Sequence, residues 1–263
     1  MPYSQEDQQW IQSQLQAEHI GREIITYDSV DSTNNIAKRL VGKPDKEGTV
    51  ILANSQTQGK GRQGRTWHSE ENVGVYLSTL LKTSLPPDQI SKIALVAGVA
   101  LVQAINEFSR ARAYLKWPND ILLNGKKVAG ILTEYCKKEA HSEVILGIGI
   151  NVNHARFPIA LQHIATSMAM ENGDIFERLP LITFLLNRLD QEYHSFLNQG
   201  ISPTIDQWNL NSDMFGKHIS LTKGTQTFFG TAMKLDEEEG SLILLTDNGE
   251  EIAFDSGEVT LME

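Results

Sequence analysis

The residues best suited to chemistry stand in Gly59-Lys60-Gly61-Arg62-Gln63-Gly64-Arg65-Thr66-Trp67, where three glycines are interleaved with three cations and an indole closes the run. Glycine tolerates positive φ and lets a backbone approach a ligand closely. Exposed N–H groups in such a loop can wrap an anion, and lysine or arginine adds charge-assisted hydrogen bonds. Trp67 offers a flat face for a base or another apolar ring. Rich in glycine, the loop is expected to order only around a ligand. The same composition also fits a basic surface loop or an RNA-binding arm. No Gly-Lys-Ser/Thr ends the run, so it is not the phosphate loop of nucleoside triphosphatases.

Four more stretches accompany the loop: Asp31-Ser32-Thr33-Asn34, Lys116-Trp117-Pro118-Asn119-Asp120, Lys127-Val128-Ala129-Gly130-Ile131-Leu132 and Gly147-Ile148-Gly149-Ile150-Asn151. Ser, Thr and Asn supply both hydrogen-bond donors and acceptors. The same tetrapeptide also reads as a helix cap, with Ser32 or Thr33 accepting the first N–H bonds. In this order and spacing the stretches resemble the biotin protein ligase family, from about Tyr27 to the C-terminus. The pairing of the glycine loop with Lys-Trp-Pro-Asn-Asp is the specific part. Two loop positions that are usually arginine in the family are Lys60 and Gln63 here. Lys60 keeps the charge and loses the planar fork.

The resemblance implies an α+β catalytic unit over residues 1–212, a mixed sheet with helices packed on it, followed by a small SH3-like barrel over 213–263. It implies an ATP-dependent ligase that converts biotin to biotinyl-5'-AMP and passes it to a lysine of a biotin carboxyl carrier protein. Ser32, Thr33 and Asn34 would meet the ureido ring, with Gln56, Lys60, Gly61, Arg62, Lys127 and Gly130 completing the biotin site. Gly59, Arg62, Arg65, Trp67, Lys116, Asn119, Asp120 and Asn151 would hold ATP and the adenylate, with adenine on Trp67. Lys127, Arg62 and Lys116 would carry the chemistry. Mg²⁺ would arrive with ATP, without a direct protein cage for a metal. Three rivals are a lipoate ligase, a biotin-responsive DNA-binding regulator and a non-catalytic biotin-binding protein.

Composition bounds the reading. The 263 residues carry 23 cations against 33 anions, a net charge of −10. That balance disfavours a general nucleic-acid or anionic-membrane binder. A single cysteine, Cys136, excludes an internal disulfide and reads as a structural thiol. No signal-peptide pattern opens the chain and no apolar run approaches a membrane span, so a cytoplasmic location is expected. The seven histidines show no spacing of metal ligands. Only about 25 residues precede the first strand, which leaves no room for the N-terminal winged helix of some family members. Sheet edges permit a side-by-side homodimer.

The elements that must position these residues follow from periodicity. A helix is expected over residues 4–18, capped by Ser4, with Trp10, Ile11 and Leu15 on one face. Strands are expected at 23–27, 49–53, 73–81, 113–117, 127–135 and 142–150. A long helix from Pro86 has one buried stripe from Ile90 to Phe108. Asn124-Gly125 signals a hairpin, and of the adjacent Lys126 and Lys127 the family pattern selects Lys127. Helices 180–198 and 203–209 precede five short strands, whose acidic turn at 236–240 reads as a solvated loop.

Overall fold

The computed structural model describes residues 3–82, 85–138 and 141–262. Its centre is a seven-stranded mixed sheet in the order β1-β2-β3-β7-β6-β5-β4. The strands are β1 (Glu23–Val30), β2 (Thr49–Gln56), β3 (Gly74–Lys82), β4 (Ala113–Lys116), β5 (Asp120–Leu123), β6 (Lys126–Lys138) and β7 (His141–Asn151). Only β1 and β2 pair in parallel; the other neighbours are antiparallel. This is the mixed sheet the sequence predicts, with the longer strands extended by a few residues at their ends.

Helices cover both faces. On one lie α1 (Gln5–Gln14), α3 (Ser91–Phe108), α5 (Arg178–Gln199) and α6 (Ser202–Asn211), sharing a core with the sheet. On the other, α2 (Thr33–Lys38) buries Ile36 and Ala37 against Ile51, Ala53, Leu80 and Ile145. Ser4 caps α1 in a reciprocal box with Asp7, as its sequence predicts. The predicted apolar face of α1 is only partly realised, since Ile11 is buried while Trp10 is exposed.

α3 departs from the expectation of a single buried stripe. It is buried on nearly every side from Lys92 to Val102. A Cβ on Gly98 would stand 3.0 Å from Trp208 of α6 and 3.1 Å from Leu115 of β4, so glycine permits that close sandwich. Its 18 residues have a mean hydropathy of 1.3, long and apolar enough to cross a membrane, contrary to the sequence expectation. Enclosure by sheet, helices and barrel gives it the role of a core helix.

A short helix not anticipated from the sequence, α4 (Met168–Asn172), joins the sheet to α5. The chain ends in a five-stranded antiparallel sheet ordered β11-β10-β9-β8-β12, formed by β8 (His218–Lys223), β9 (Gln226–Leu235), β10 (Leu242–Thr246), β11 (Glu251–Phe254) and β12 (Glu258–Leu261). It is the small SH3-like barrel of the sequence reading, with Ile219, Leu221, Ala232 and Leu244 filling its interior. The acidic turn keeps Glu237–Glu239 exposed, as expected, but also docks on the catalytic unit. Gly240 O accepts from Trp117 Nε1 (3.3 Å), and Glu239 pairs with the nearly buried Lys92 at 3.1 Å.

Candidate active site

The glycine loop folds as a short hairpin. Gly61 N–H donates to Arg65 O (2.7 Å), Trp67 N–H donates to Gly59 O (2.9 Å), and Lys60 bridges Thr66. Gln63 and Gly64 turn the tip with φ of 54° and 74°. These bonds define the hairpin's shape. Gly59 stands behind the hairpin: a Cβ there would lie 2.4 Å from Trp67 O. Two arginines tether the loop outward. Arg65 pairs with Glu258 of β12, and that bond holds the Glu258 carboxyl below its usual range. Arg62 Nη1 donates to Asn119 Oδ1 (2.8 Å) and reaches Gly257 O (3.5 Å).

Beneath the loop runs a cleft of about 500 Å³. One end is lined mainly by neutral polar side chains, with Lys60 at its edge. Here α2 begins at Thr33, and its first N–H donates to Gln56 Oε1 (2.9 Å) from β2. The cap predicted for Ser32 or Thr33 is therefore supplied by another strand, which frees these residues for other contacts. Gln56 Nε2 donates to Ser69 Oγ (2.8 Å), and the Ser78 hydroxyl lies against both Thr33 Oγ1 (2.7 Å) and Asn34 Oδ1. Asn34 Nδ2 donates to Glu134 Oε2 (2.7 Å), whose other oxygen takes Lys38 at 2.6 Å. Burial raises the Glu134 pKa, but the bonds from Lys38 and Asn34 outweigh it and hold the carboxyl low. Lys60 reaches the same region and donates to Asn35 Oδ1.

The other end is charged. Lys116 and Asp120 face each other across the β4–β5 hairpin, and Lys127 Nζ lies 2.6 Å from Asp120 Oδ1. Burial lowers the Lys116 pKa, opposed by Asp120 and reinforced by Lys127. Arg62 is likewise lowered by burial. Asn119 is fixed at both backbone and side chain: its O accepts from Ile131 N–H (3.0 Å) and its Nδ2 donates to Ile131 O (2.8 Å). Asn151 Nδ2 donates to Thr166 O (3.0 Å). Lys126 instead reaches Gln162 O at the surface, at 3.4 Å. A bulge in β5–β6 pairing between Ile121 and Leu122 resets the register beside Lys127.

The floor depends on glycines. Gly130 of β6 stands opposite Gly149 of β7. A Cβ on Gly149 would lie 2.4 Å from the Trp67 ring, and one on Gly130 would lie 3.0 Å from it. This bare pair forms a trough for the indole. Gly147 leaves room for Asn34 in the same way, its Cβ position being 2.3 Å from Asn34 Oδ1. Asn34 and Trp67 thus fill the space that Gly147 and Gly149 leave open. Lys127 Nζ sits 5.4 Å above the Trp67 ring, between the two ends, and the buried indole Nε1 has no protein acceptor.

The arrangement matches known proteins. A model of the Biotin/lipoate A/B protein ligase family matches residues 26–151, and one of the Biotin protein ligase C terminal domain matches 214–262. The Bifunctional ligase/repressor BirA of Bacillus subtilis is 37% identical over 238 residues, 89% of this chain and 73% of its own length. This chain belongs to the biotin protein ligase family. A Biotin–[acetyl-CoA-carboxylase] ligase of Paracoccus denitrificans is 32% identical over 84% of this chain and 94% of its own. The biotin protein ligase of Aquifex aeolicus in complex with biotin and ATP superposes with a TM-score of 0.80 at 30% identity, covering 92% of this chain and 99% of that one.

In this family member the fold brings every sequence-predicted site residue except Gly59 to the cleft wall. Sequence reasoning missed several others. Ser78 and Glu134 are polar residues within largely apolar strands, a signal that was present. Phe157, Leu161, His163, Ile164 and Ala165, with Gly257–Leu261, line the cleft itself. Nothing in their patterns separates them from ordinary loop and barrel strand.

Proposed function

We propose that this ligase activates biotin with ATP to biotinyl-5'-AMP, then transfers biotin to a lysine of a biotin carboxyl carrier protein. The support that carries the reading is one group, the Lys127 ammonium between a recess of mainly neutral polar side chains and a cationic one. Ser32, Thr33, Asn34 and Gln56 offer the donors and acceptors a ureido ring needs. Arg62, Lys116 and Lys127, with Asn119, offer a lining for phosphates. Mg²⁺ enters with ATP as part of the substrate. The biotin carboxylate attacks the α-phosphorus, and pyrophosphate leaves. Two anions must meet, so cations near the reacting oxygens lower the barrier. In the second step an acceptor lysine amine attacks the mixed anhydride, sheds its proton and releases AMP. The hairpin over the cleft limits hydrolysis of the anhydride by keeping water out.

In this reading, residues 1–212 carry the biotin and ATP sites, and 213–263 form a C-terminal unit that closes one wall. The carrier protein as acceptor is supported by the name of the Paracoccus relative. A cytoplasmic setting fits that acceptor. The test is to incubate the protein with ATP and either biotin or lipoate and identify the acyl-adenylate by mass. Lipoyl-AMP in place of biotinyl-AMP would overturn the choice of acyl substrate.

A further inference from the structure

Far from the cleft, α5 holds the segment that precedes β1. Asp190 is buried, and its carboxylate accepts three backbone N–H bonds, from Glu18 (2.9 Å), His19 (2.8 Å) and Ile20 (2.7 Å). That clamp fixes the backbone of the turn. One helical turn beyond Asp190, on the same face of α5, stands His194. His19 Nε2 lies 3.4 Å from His194 Nδ1, and Glu18 Oε2 lies 3.7 Å from that same Nδ1. One ligand atom from each residue falls within 4.8 Å of the others.

We propose that Glu18, His19 and His194 form a binding site for a divalent transition-metal ion, with Zn²⁺ as the best match. The distances carry the argument. A nitrogen–nitrogen separation of 3.4 Å is long for a hydrogen bond, whose usual length is about 2.9–3.0 Å. Tetrahedral Zn²⁺ binds imidazole nitrogens at about 2.0–2.1 Å, which sets neighbouring ligand atoms roughly 3.3–3.4 Å apart. Each ring already brings one nitrogen to within that separation of the other. Glu18 is exposed, and its carboxylate is free to swing in to complete the set.

The surroundings suit a cation. Asp190 lies beneath the turn with its charge turned to backbone N–H groups, and the nearby Arg22 is engaged with Glu18 O at 2.8 Å. Tyr193 meets His19 edge-on at 6.0 Å, and its hydroxyl donates to Lys82 O (3.1 Å), which steadies the ring. Two imidazoles and a carboxylate leave the fourth position to water. The ligands join positions 175 residues apart, so no local spacing could reveal them. Because the folded chain assembles the site, bound metal stabilises the docking of the N-terminal segment on α5.

The test uses the metal-free full chain without nucleotide, titrated with Zn²⁺ in a non-chelating buffer by calorimetry and followed by thermal unfolding. One ion per chain at micromolar or tighter affinity is expected, with a raised Tm. His194→Gln should weaken binding by at least the roughly tenfold that even outer-shell changes cost. Glu18→Gln should weaken it less. His218→Gln, on the barrel beside Asp247, should leave it unchanged. Zn²⁺ held equally by His19→Gln/His194→Gln, or no wild-type binding below millimolar, overturns the proposal. Should the variants misfold, Co²⁺ added to wild type serves instead: four-coordinate visible bands support the site, and their absence sinks it.

Discussion

Lys127 is held by two contacts of different kinds, the Asp120 carboxylate at 2.6 Å and the Trp67 face at 5.4 Å. Its charge matters most when carboxylate and phosphate meet, so Lys127→Ala should depress adenylate formation far more than biotin binding. Near wild-type synthesis of biotinyl-AMP by the variant would refute that role. Glu134 acts at one remove. It fixes the Asn34 amide from behind while Ser78 fixes it from the side. Glu134→Gln should weaken biotin binding by about tenfold, the loss of one charged hydrogen bond at its lower bound of roughly 1.5 kcal/mol, with little change in turnover at saturation. Equal biotin affinity in the two proteins would show that Asn34 does not depend on Glu134. His154 is a different case. Burial, aided by His68, pushes its pKa from 6.5 down to about 4. The unfolded chain therefore binds a proton that the folded chain refuses. The neutral ring's contribution is full above about 6.5 and is lost as pH falls toward 4, roughly 3 kcal/mol over that window. His154→Phe, which keeps a ring to stack on Phe157, should flatten the decline of unfolding free energy across that range. A slope identical to wild type in urea titrations would remove His154 as its source.

At the scale of the element, β7 makes room for two cleft side chains with two glycines. Gly147 makes room for Asn34 and Gly149 for Trp67. An added methyl must displace the facing side chain, because strand backbones on either side cannot yield. Gly147→Ala should therefore raise the biotin Kd and spare ATP, while Gly149→Ala should raise the ATP Kd and spare biotin. Loss of both ligands in either variant would mean the strand itself was deformed. The pattern also explains what sequence can reveal. Gly-Ile-Gly-Ile-Asn announces a strand that lacks side chains on one face, and the glycine loop announces a close backbone approach. Neither says what fills the gap, because the partners Asn34 and Trp67 lie about a hundred residues away along the chain. The all-round burial of α3 was hidden for the same reason: α6 and the barrel supply its outer cover. Ser32 makes no cap bond of its own, and Gln56, on a parallel strand, takes the first N–H of the helix instead. Local rules read the elements, and long-range pairing then reassigns individual side chains.

At the scale of the molecule, the barrel is joined to the sheet by a few specific contacts. Trp117 donates to Gly240 O, Lys92 pairs with Glu239, and Arg65 pairs with Glu258. Gly240 has φ of 70°, and a Cβ there would stand 2.5 Å from Leu95 Cδ1. Gly240→Ala should cost about 1–3 kcal/mol through backbone strain. At this chain length each kcal/mol is worth roughly 2–4 °C in Tm. A Tm within 1 °C of wild type, about the scatter of such measurements, would show the turn free to move off α3.

Because Gly257–Leu261 form part of the cleft wall, the occupied cleft and the seam between the two sheets are thermodynamically linked. Any ligand that touches both sides adds cohesion to the seam. Reciprocity then requires the seam to raise that ligand's affinity by the same factor. A change at Lys92 or Gly240, remote from the cleft, should thus alter how long a ligand that spans the seam stays bound. On the proposed reading, the barrel would set residence time without contributing a reactive group.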